Sequence, residues 1–255
     1  MKKQIVVIGV GEMAGVFARG FLRCGYPVYP ILRGTDLTAA AAALPDPELV
    51  LVAVGEGDLE LTLTQIPQVW RARLALLQNE LLPPTWQRHG IDEPTVISVW
   101  FEKKQGQDVK VLISSPIYGP LAHCLAAALQ SLNIPSHTVS STQEMLFELV
   151  CKNLYIVTTN IAGLVVGGTV SQLWDQHEQL VRNIANEALA IQQWLTQSEL
   201  PRASLIDGML KAFAGDPDHR CMGRSAPARL ERAIAQATAA NLDVPTLKKV
   251  AASAR

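Results

Sequence analysis

The chain has 255 residues, 49% hydrophobic and 18% charged, enough apolar material for a substantial core and too much for a disordered chain. Twenty-two Lys and Arg against twenty-three Asp and Glu leave a formal charge of −1. That removes the bulk electrostatic case for a nucleic-acid partner, because neutralising phosphates takes an excess of cations.

Cys24, Cys124, Cys151 and Cys221 stand far apart, with no Cys-x-x-Cys and no paired His spacing. Reduced thiols are expected, with neither a disulfide framework nor a metal site. Met1-Lys2-Lys3-Gln4 runs straight into an apolar segment without a cleavable signal pattern. The stretch 154–170 is interrupted by Thr158, Thr159 and Asn160. It falls short of the ~20 apolar residues of a membrane span and reads as a buried helix. A soluble cytoplasmic protein with a small-molecule substrate, and neither nucleic acid nor membrane as partner, is the expectation.

The first half alternates short apolar runs with helical patterns. Ile5–Val10 is a continuous β-branched run and Glu12–Cys24 a helical stretch; Val28–Leu32, an Ala-rich Leu37–Leu44 and Leu49–Val54 follow. Leu74–Gln78, Val96–Phe101 and Val109–Ser114 have strand-like lengths, and Leu121–Asn133 reads as a covering helix. Runs apolar on both faces, spaced by helices, predict a parallel, doubly wound α/β sheet. Beyond residue 140 the character changes. Ser141-Thr142-Gln143-Glu144 has the form of a capping box, and from there to about Trp194 the pattern is helical, broken at Gly167-Gly168. Gly215-Asp216-Pro217-Asp218 reads as a loop, Pro227–Ala240 as a helix, and Leu242-Asp243-Val244-Pro245 as a break before a short last helix. The expected division is a Rossmann-type domain over 1–140 and an all-α domain over 141–255.

Gly9-Val10-Gly11-Glu12-Met13-Ala14 reads G-x-G-x-x-A, directly after a strand and opening a helix. The first glycine serves the tight turn and the second lets backbone approach a pyrophosphate. The small third position lets helix and strand pack closely. A dinucleotide is the expected ligand. Glu12 is the discordant residue, since a carboxylate beside a pyrophosphate repels it unless it turns outward. At the end of the second strand, where NAD binders place an acid, stands Arg33, a residue type that pairs with a 2′-phosphate. Asp36 competes for that role but lies past the strand. NADP(H) is the favoured cofactor.

Lys152 lies in a helix with little other charge, between Leu149-Val150-Cys151 and Leu154-Tyr155-Ile156-Val157. Such surroundings strip hydration from an ammonium and make it a better proton donor near neutral pH. A snorkelling lysine fits the same position. Helical spacing places Thr159 and Asn160 over the same side, with Gly163 permitting a close approach. A buried Asn160 needs partners, from a substrate or from a neighbouring helix. His219, Arg220, Arg224 and Arg229 form a basic cluster, read mainly as a solvated face and otherwise as a carboxylate holder. His89, His123, His137 and His177 show no triad or metal spacing.

The glycine turn, Leu32-Arg33, the Leu76-Leu77-Gln78-Asn79 run and a Lys-x7-Asn pair opening the helical domain together resemble ketopantoate reductase. That family reduces 2-dehydropantoate with NADPH, on a Rossmann domain followed by a helical domain similar to those of 6-phosphogluconate dehydrogenases. The resemblance implies that Asn79 lies beside nicotinamide and substrate, that Lys152 donates the proton to the ketone oxygen, and that Asn160 binds substrate. It implies a cofactor cradle of Gly9 to Ala14 with Arg33, and a homodimer. Here Glu80 replaces the family's glycine after Asn79, Ile156 replaces its first substrate asparagine, and Ser225 stands where its glutamate is expected. The implied function is an NADPH-dependent reductase of a small 2-oxo acid or related ketone. The alternative is an NADP(H)-binding protein without reductase activity.

Overall fold

The computed structural model describes residues 2–253. By its internal contacts the chain divides into two compact units, Met1–Glu148 and Leu149–Arg255.

The first unit is built on a seven-stranded sheet of order β2-β1-β3-β4-β5-β8-β9. β1 (Ile5–Ile8) and β3 (Leu49–Val52) are buried along their whole length, as continuous apolar runs with helices on both faces should be. β2 (Val28–Ile31), β4 (Leu74–Leu76) and β5 (Thr95–Ile97) complete a parallel set. One face carries Ile5, Val7, Leu49, Leu51 and Ala75 against Phe17 and Phe21 of α1 (Glu12–Arg23) and Leu125 and Leu129 of α5 (Ala122–Gln130). By alternation along the strands, Val6, Ile8, Val50 and Val52 occupy the other face, and these too are buried. α2 (Leu37–Ala43), α3 (Glu56–Gln65), a 3-10 turn at Gln68–Arg73 and α4 (Pro83–Gln87) link the parallel strands.

The doubly wound sheet is present, but the strands at its far side are not those expected. Val109–Ser114 is no sheet strand; Lys110–Val111 (β7) pairs only with Phe101–Glu102 (β6) in a two-stranded ribbon. β8 (Ser115–Tyr118) takes the place in the sheet, antiparallel to β5, and β9 (Ser136–Thr138) runs parallel to it at the edge. Pro116 and the polar Ser136-His137-Thr138 hide both strands from a reading based on apolar runs.

The second unit is all helical. α6 (Thr142–Val166) spans the division between the units, and α7 (Val170–Thr196), α8 (Arg202–Gly215), α9 (Ala226–Ala239) and α10 (Pro245–Ser253) follow. At the start of α6 the hydroxyl of Ser141 accepts from the Glu144 amide at 3.1 Å. The Glu144 carboxylate reaches back to the Ser140 amide at 2.7 Å, one residue earlier than a strict capping box. Among the described residues α6 alone has the length and hydropathy to cross a membrane, and 67% of its most apolar window is buried inside the protein. That is how a core helix behaves.

Candidate functional site

β1 ends at Ile8, and Gly9 turns the chain with a φ of 100°. A Cβ at this position would lie 2.6 Å from the carbonyl oxygen of Ala53. The turn therefore rests against the chain leaving β3, and only glycine fits it. Gly11 caps α1 and, having no side chain, leaves the amides of the first turn uncovered. Ala14 is buried in the core between α1 and the sheet, with Met13 packed against the same cluster. Glu12 does turn outward, its carboxylate 3.5 Å from the ammonium of Lys103.

This turn opens where the strand order reverses between β1 and β3, the place where open α/β sheets hold their ligands. A cavity of about 360 Å³ lies there, bounded by Gly9 to Gly11, Leu32 to Thr35, Ala53 to Gly55, and Asp58 and Leu61 of α3. Leu32 and Leu61 leave more than half of their surface exposed at its rim, as does Val10 at the turn. Arg33 extends into solvent at the end of β2, with its guanidinium 2.5 Å from the Asp58 carboxylate. Asp36 is no competitor for a ribose. Its carboxylate accepts from the Thr38 and Ala39 amides as the cap of α2.

At the end of β4 the buried Gln78 amide donates to the carbonyl of Val52 at 2.6 Å and of Val54 at 3.3 Å. It thereby ties β4 to the chain leaving β3. Asn79 next to it is exposed. Glu80 holds a φ of 58°, so the left-handed turn that a glycine would make is formed here by a glutamate.

In the second unit, Lys152 is partly buried on α6 and places its ammonium 5.6 Å from the centre of the Tyr155 ring. That ring meets Phe213 edge-on at 5.6 Å and lies 6.0 Å from the His219 imidazole. His219 in turn has Nδ1 3.5 Å from a carboxylate oxygen of the buried Asp216. Ile156 is buried, and Thr159 folds its hydroxyl onto the Tyr155 carbonyl at 2.7 Å. Seven residues beyond Lys152, Thr159 lies on the same side of α6, with its hydroxyl turned back onto the helix's own backbone.

Asn160 is two turns beyond Lys152, and its side-chain oxygen accepts from Arg229 Nη1 at 2.7 Å. Arg229 is buried on α9, which corrects its reading as part of a solvated face; Arg220 and Arg224 are exposed, and Ser225 is exposed at the start of α9. Gly163 does permit a close approach: a Cβ there would lie 2.5 Å from the Cys221 carbonyl oxygen. The segment 216–223 is thereby laid along α6, and it is fixed further by the Cys221 amide on the Gly168 carbonyl at 3.1 Å.

Sequence reasoning missed Tyr155, Asp216, Gln78, Asp58 and Leu61. A buried-polar signal was available for Gln78, an amide closing an apolar strand. Tyr155 joins His219 only through a tertiary contact between α6 and the loop after α8, which no spacing reports, whereas Asp216 is three residues from His219 within that loop.

No protein-family model matches this sequence, and no curated protein matches it. Solved structures do. A PanE/ApbA-family ketopantoate reductase from Ralstonia eutropha superposes with a TM-score of 0.69 at 16% identity, over 99% of this chain and 97% of the other. A dimeric ketopantoate reductase from Staphylococcus aureus gives 0.63 at 16% identity, over 99% and 97%. A D-mandelate dehydrogenase, solved with NADH and anilino(oxo)acetate, gives 0.67 at 13% identity, over 98% and 97%. What is shared across such distant sequences is architecture, and the chain has the fold of the ketopantoate reductases, a Rossmann-type sheet followed by an all-α part.

Proposed function

We propose that the protein is an NADP(H)-dependent reductase of a small 2-oxo acid or a related ketone, working in the cytoplasm. The observation that carries this reading is the Gly9 turn, closed on Ala53 with an uncapped helix start behind it, in a chain with this fold. The amides at the start of α1 and the approach allowed at Gly9 and Gly11 suit a pyrophosphate. Leu32 and Leu61 offer apolar walls to an adenine, and Arg33 offers a guanidinium to a 2′-phosphate. A reduced nicotinamide bound by these residues supplies the hydride.

Lys152 protonates the carbonyl oxygen as the alkoxide forms, its ammonium kept in low-dielectric surroundings by α6. Arg229 fixes the Asn160 amide so that its NH2 group is the donor presented to substrate. Asn79, at a turn held by Gln78 and Glu80, positions the reactants. The buried Ile156 removes one polar contact, which favours a substrate other than ketopantoate. A homodimer is proposed from the dimeric relative in fold.

A panel of 2-oxo acids assayed by NADPH oxidation, with Lys152→Ala beside the parent, tests the reading. Turnover in the parent and a loss of about 10²–10⁴-fold in the variant are expected. Equal turnover removes Lys152 as the acid. The second reading, a nucleotide-binding protein without reductase activity, is favoured by the Asn160 oxygen being already satisfied by Arg229. Tight NADPH binding with no turnover on any ketone decides for it.

A further inference from the structure

Three side chains of different chemistry meet at the opposite end of the sheet from the glycine turn. Glu48 leads into β3, and His123 and Cys124 stand in the first turn of α5, which follows the antiparallel β8. One ligand atom from each lies within 4.8 Å of the other two. The Cys124 sulfur is 3.3 Å from His123 Nε2 and 3.9 Å from the Tyr26 hydroxyl. The sequence hides the group, since Glu48 and Cys124 are 76 residues apart and no metal spacing links them.

We propose that Glu48, His123 and Cys124 form a binding site for a zinc-type divalent cation, structural or regulatory and separate from the nucleotide pocket. Zinc bond lengths of about 2.0–2.3 Å in a tetrahedron put neighbouring ligand atoms about 3.4–3.6 Å apart. The sulfur and imidazole nitrogen are already near that spacing, and the carboxylate reaches it by side-chain rotation. A thiolate, an imidazole and a carboxylate together select zinc over magnesium or calcium, which prefer oxygen ligands alone. The fourth position falls to water or to the Tyr26 hydroxyl. Exposed His123 and half-buried Glu48 give an entry path to the buried Cys124. On binding, the thiol gives up its proton to solvent and the sulfur–metal bond forms.

The test uses the full chain, stripped with chelator and titrated with Co(II) as a spectroscopic probe, then with Zn(II). One Co(II) per chain is expected, with thiolate-to-cobalt charge-transfer absorption and the visible bands of a tetrahedral site, both removed by Zn(II). Cys124→Ser should abolish the charge-transfer band. Because that substitution touches the core, His123→Ala and Glu48→Gln at accessible positions serve as partners, each weakening affinity at least about tenfold. Circular dichroism and NADPH affinity should be unchanged in these two. No stoichiometric binding at micromolar metal, or affinity equal to the parent's in both variants, overturns the site. The metal titration itself involves no nucleotide, so its failure leaves the reductase reading untouched.

Discussion

Arg33 and Asp58 set a competition at the rim of the cavity proposed for the nucleotide. The two are paired at 2.5 Å, but with the Arg33 side chain 87% exposed and Asp58 49% exposed, the pair itself contributes little to stability. Its consequence is for ligands, because a 2′-phosphate must share the guanidinium with a carboxylate. Asp58→Asn should therefore tighten NADPH by about three- to tenfold and leave NADH nearly unchanged. Arg33→Gln should weaken NADPH by about tenfold or more and narrow the gap between the two cofactors. Fluorescence titration of both reduced nucleotides against both variants measures this; a parent that binds NADH better than NADPH, with no response to Arg33→Gln, refutes the 2′-phosphate role. Arg33 was legible from the sequence because a strand end fixes its place. Asp58 was not, because it arrives from α3 and only the folded turn after β3 brings it there. Glu80 teaches the same lesson for backbone: residue type argued against the left-handed turn, yet its φ of 58° shows that the ends of β3 and β4, tied by Gln78, impose it.

Apolar runs made β1 through β5 readable, with all but the half-exposed β2 buried along their length, and the hydroxyl-rich start of α6 was equally plain. Elements with other sources of stability were not. β8 contains a proline and still pairs, since the Pro116 carbonyl accepts from the Ser98 amide at 3.0 Å. The short α10 was expected after the Val244-Pro245 break, but what holds its start was not legible: the Glu187 carboxylate on α7 accepts from the Thr246 and Leu247 amides at 2.8 and 2.9 Å. Glu187→Ala removes both bonds and leaves two helix-start amides unpaired. A loss of about 2 kcal/mol is expected by denaturant unfolding, with Glu187→Asp recovering only part because its arm is one methylene shorter.

α6 also carries two glutamates four residues apart with opposite dependence on pH. Hydrogen bonds from Ser140 hold the Glu144 carboxyl below its ordinary value. Its contribution is present above the unfolded-state value and lost as pH falls. Burial pushes the Glu148 carboxyl up, with His137 partly opposing. The folded state then binds the proton more tightly than the unfolded one, so the penalty is absent in acid and complete once pH exceeds the folded-state value. Glu148→Gln should melt higher than the parent at pH 7 and level with it near pH 4, as thermal scans across that range would show. A gain that is the same at both pH values would assign the effect to packing instead of charge.

At the scale of the molecule, fold class came from the order of elements, whereas the chemistry of the helical half came from residues that only folding assembles. Lys152 and Tyr155 are three residues apart on α6, within the reach of helical spacing, whereas Asn160 finds Arg229 of α9 only in the folded chain. The near-neutral net charge gives an anionic ligand no bulk attraction, so the proposed binding rests on local contacts at the glycine turn. That makes heat stability a direct reporter of the nucleotide. A ligand held only by the folded chain adds RT ln(1 + [L]/Kd), about 2.7 kcal/mol at one hundred times Kd. For a protein of this size that amounts to a rise in Tm of roughly 5–10 °C. NADPH should produce the full rise and NADH a smaller one. An adenosine nucleotide bearing 2′- and 5′-phosphates but no nicotinamide should retain much of it, because the Gly9 turn, Leu61 and Arg33 are all proposed to hold the adenosine half. A flat response to all three ligands at millimolar concentration would mean that the first unit holds no dinucleotide, and the proton donor assigned to Lys152 would lose its reaction.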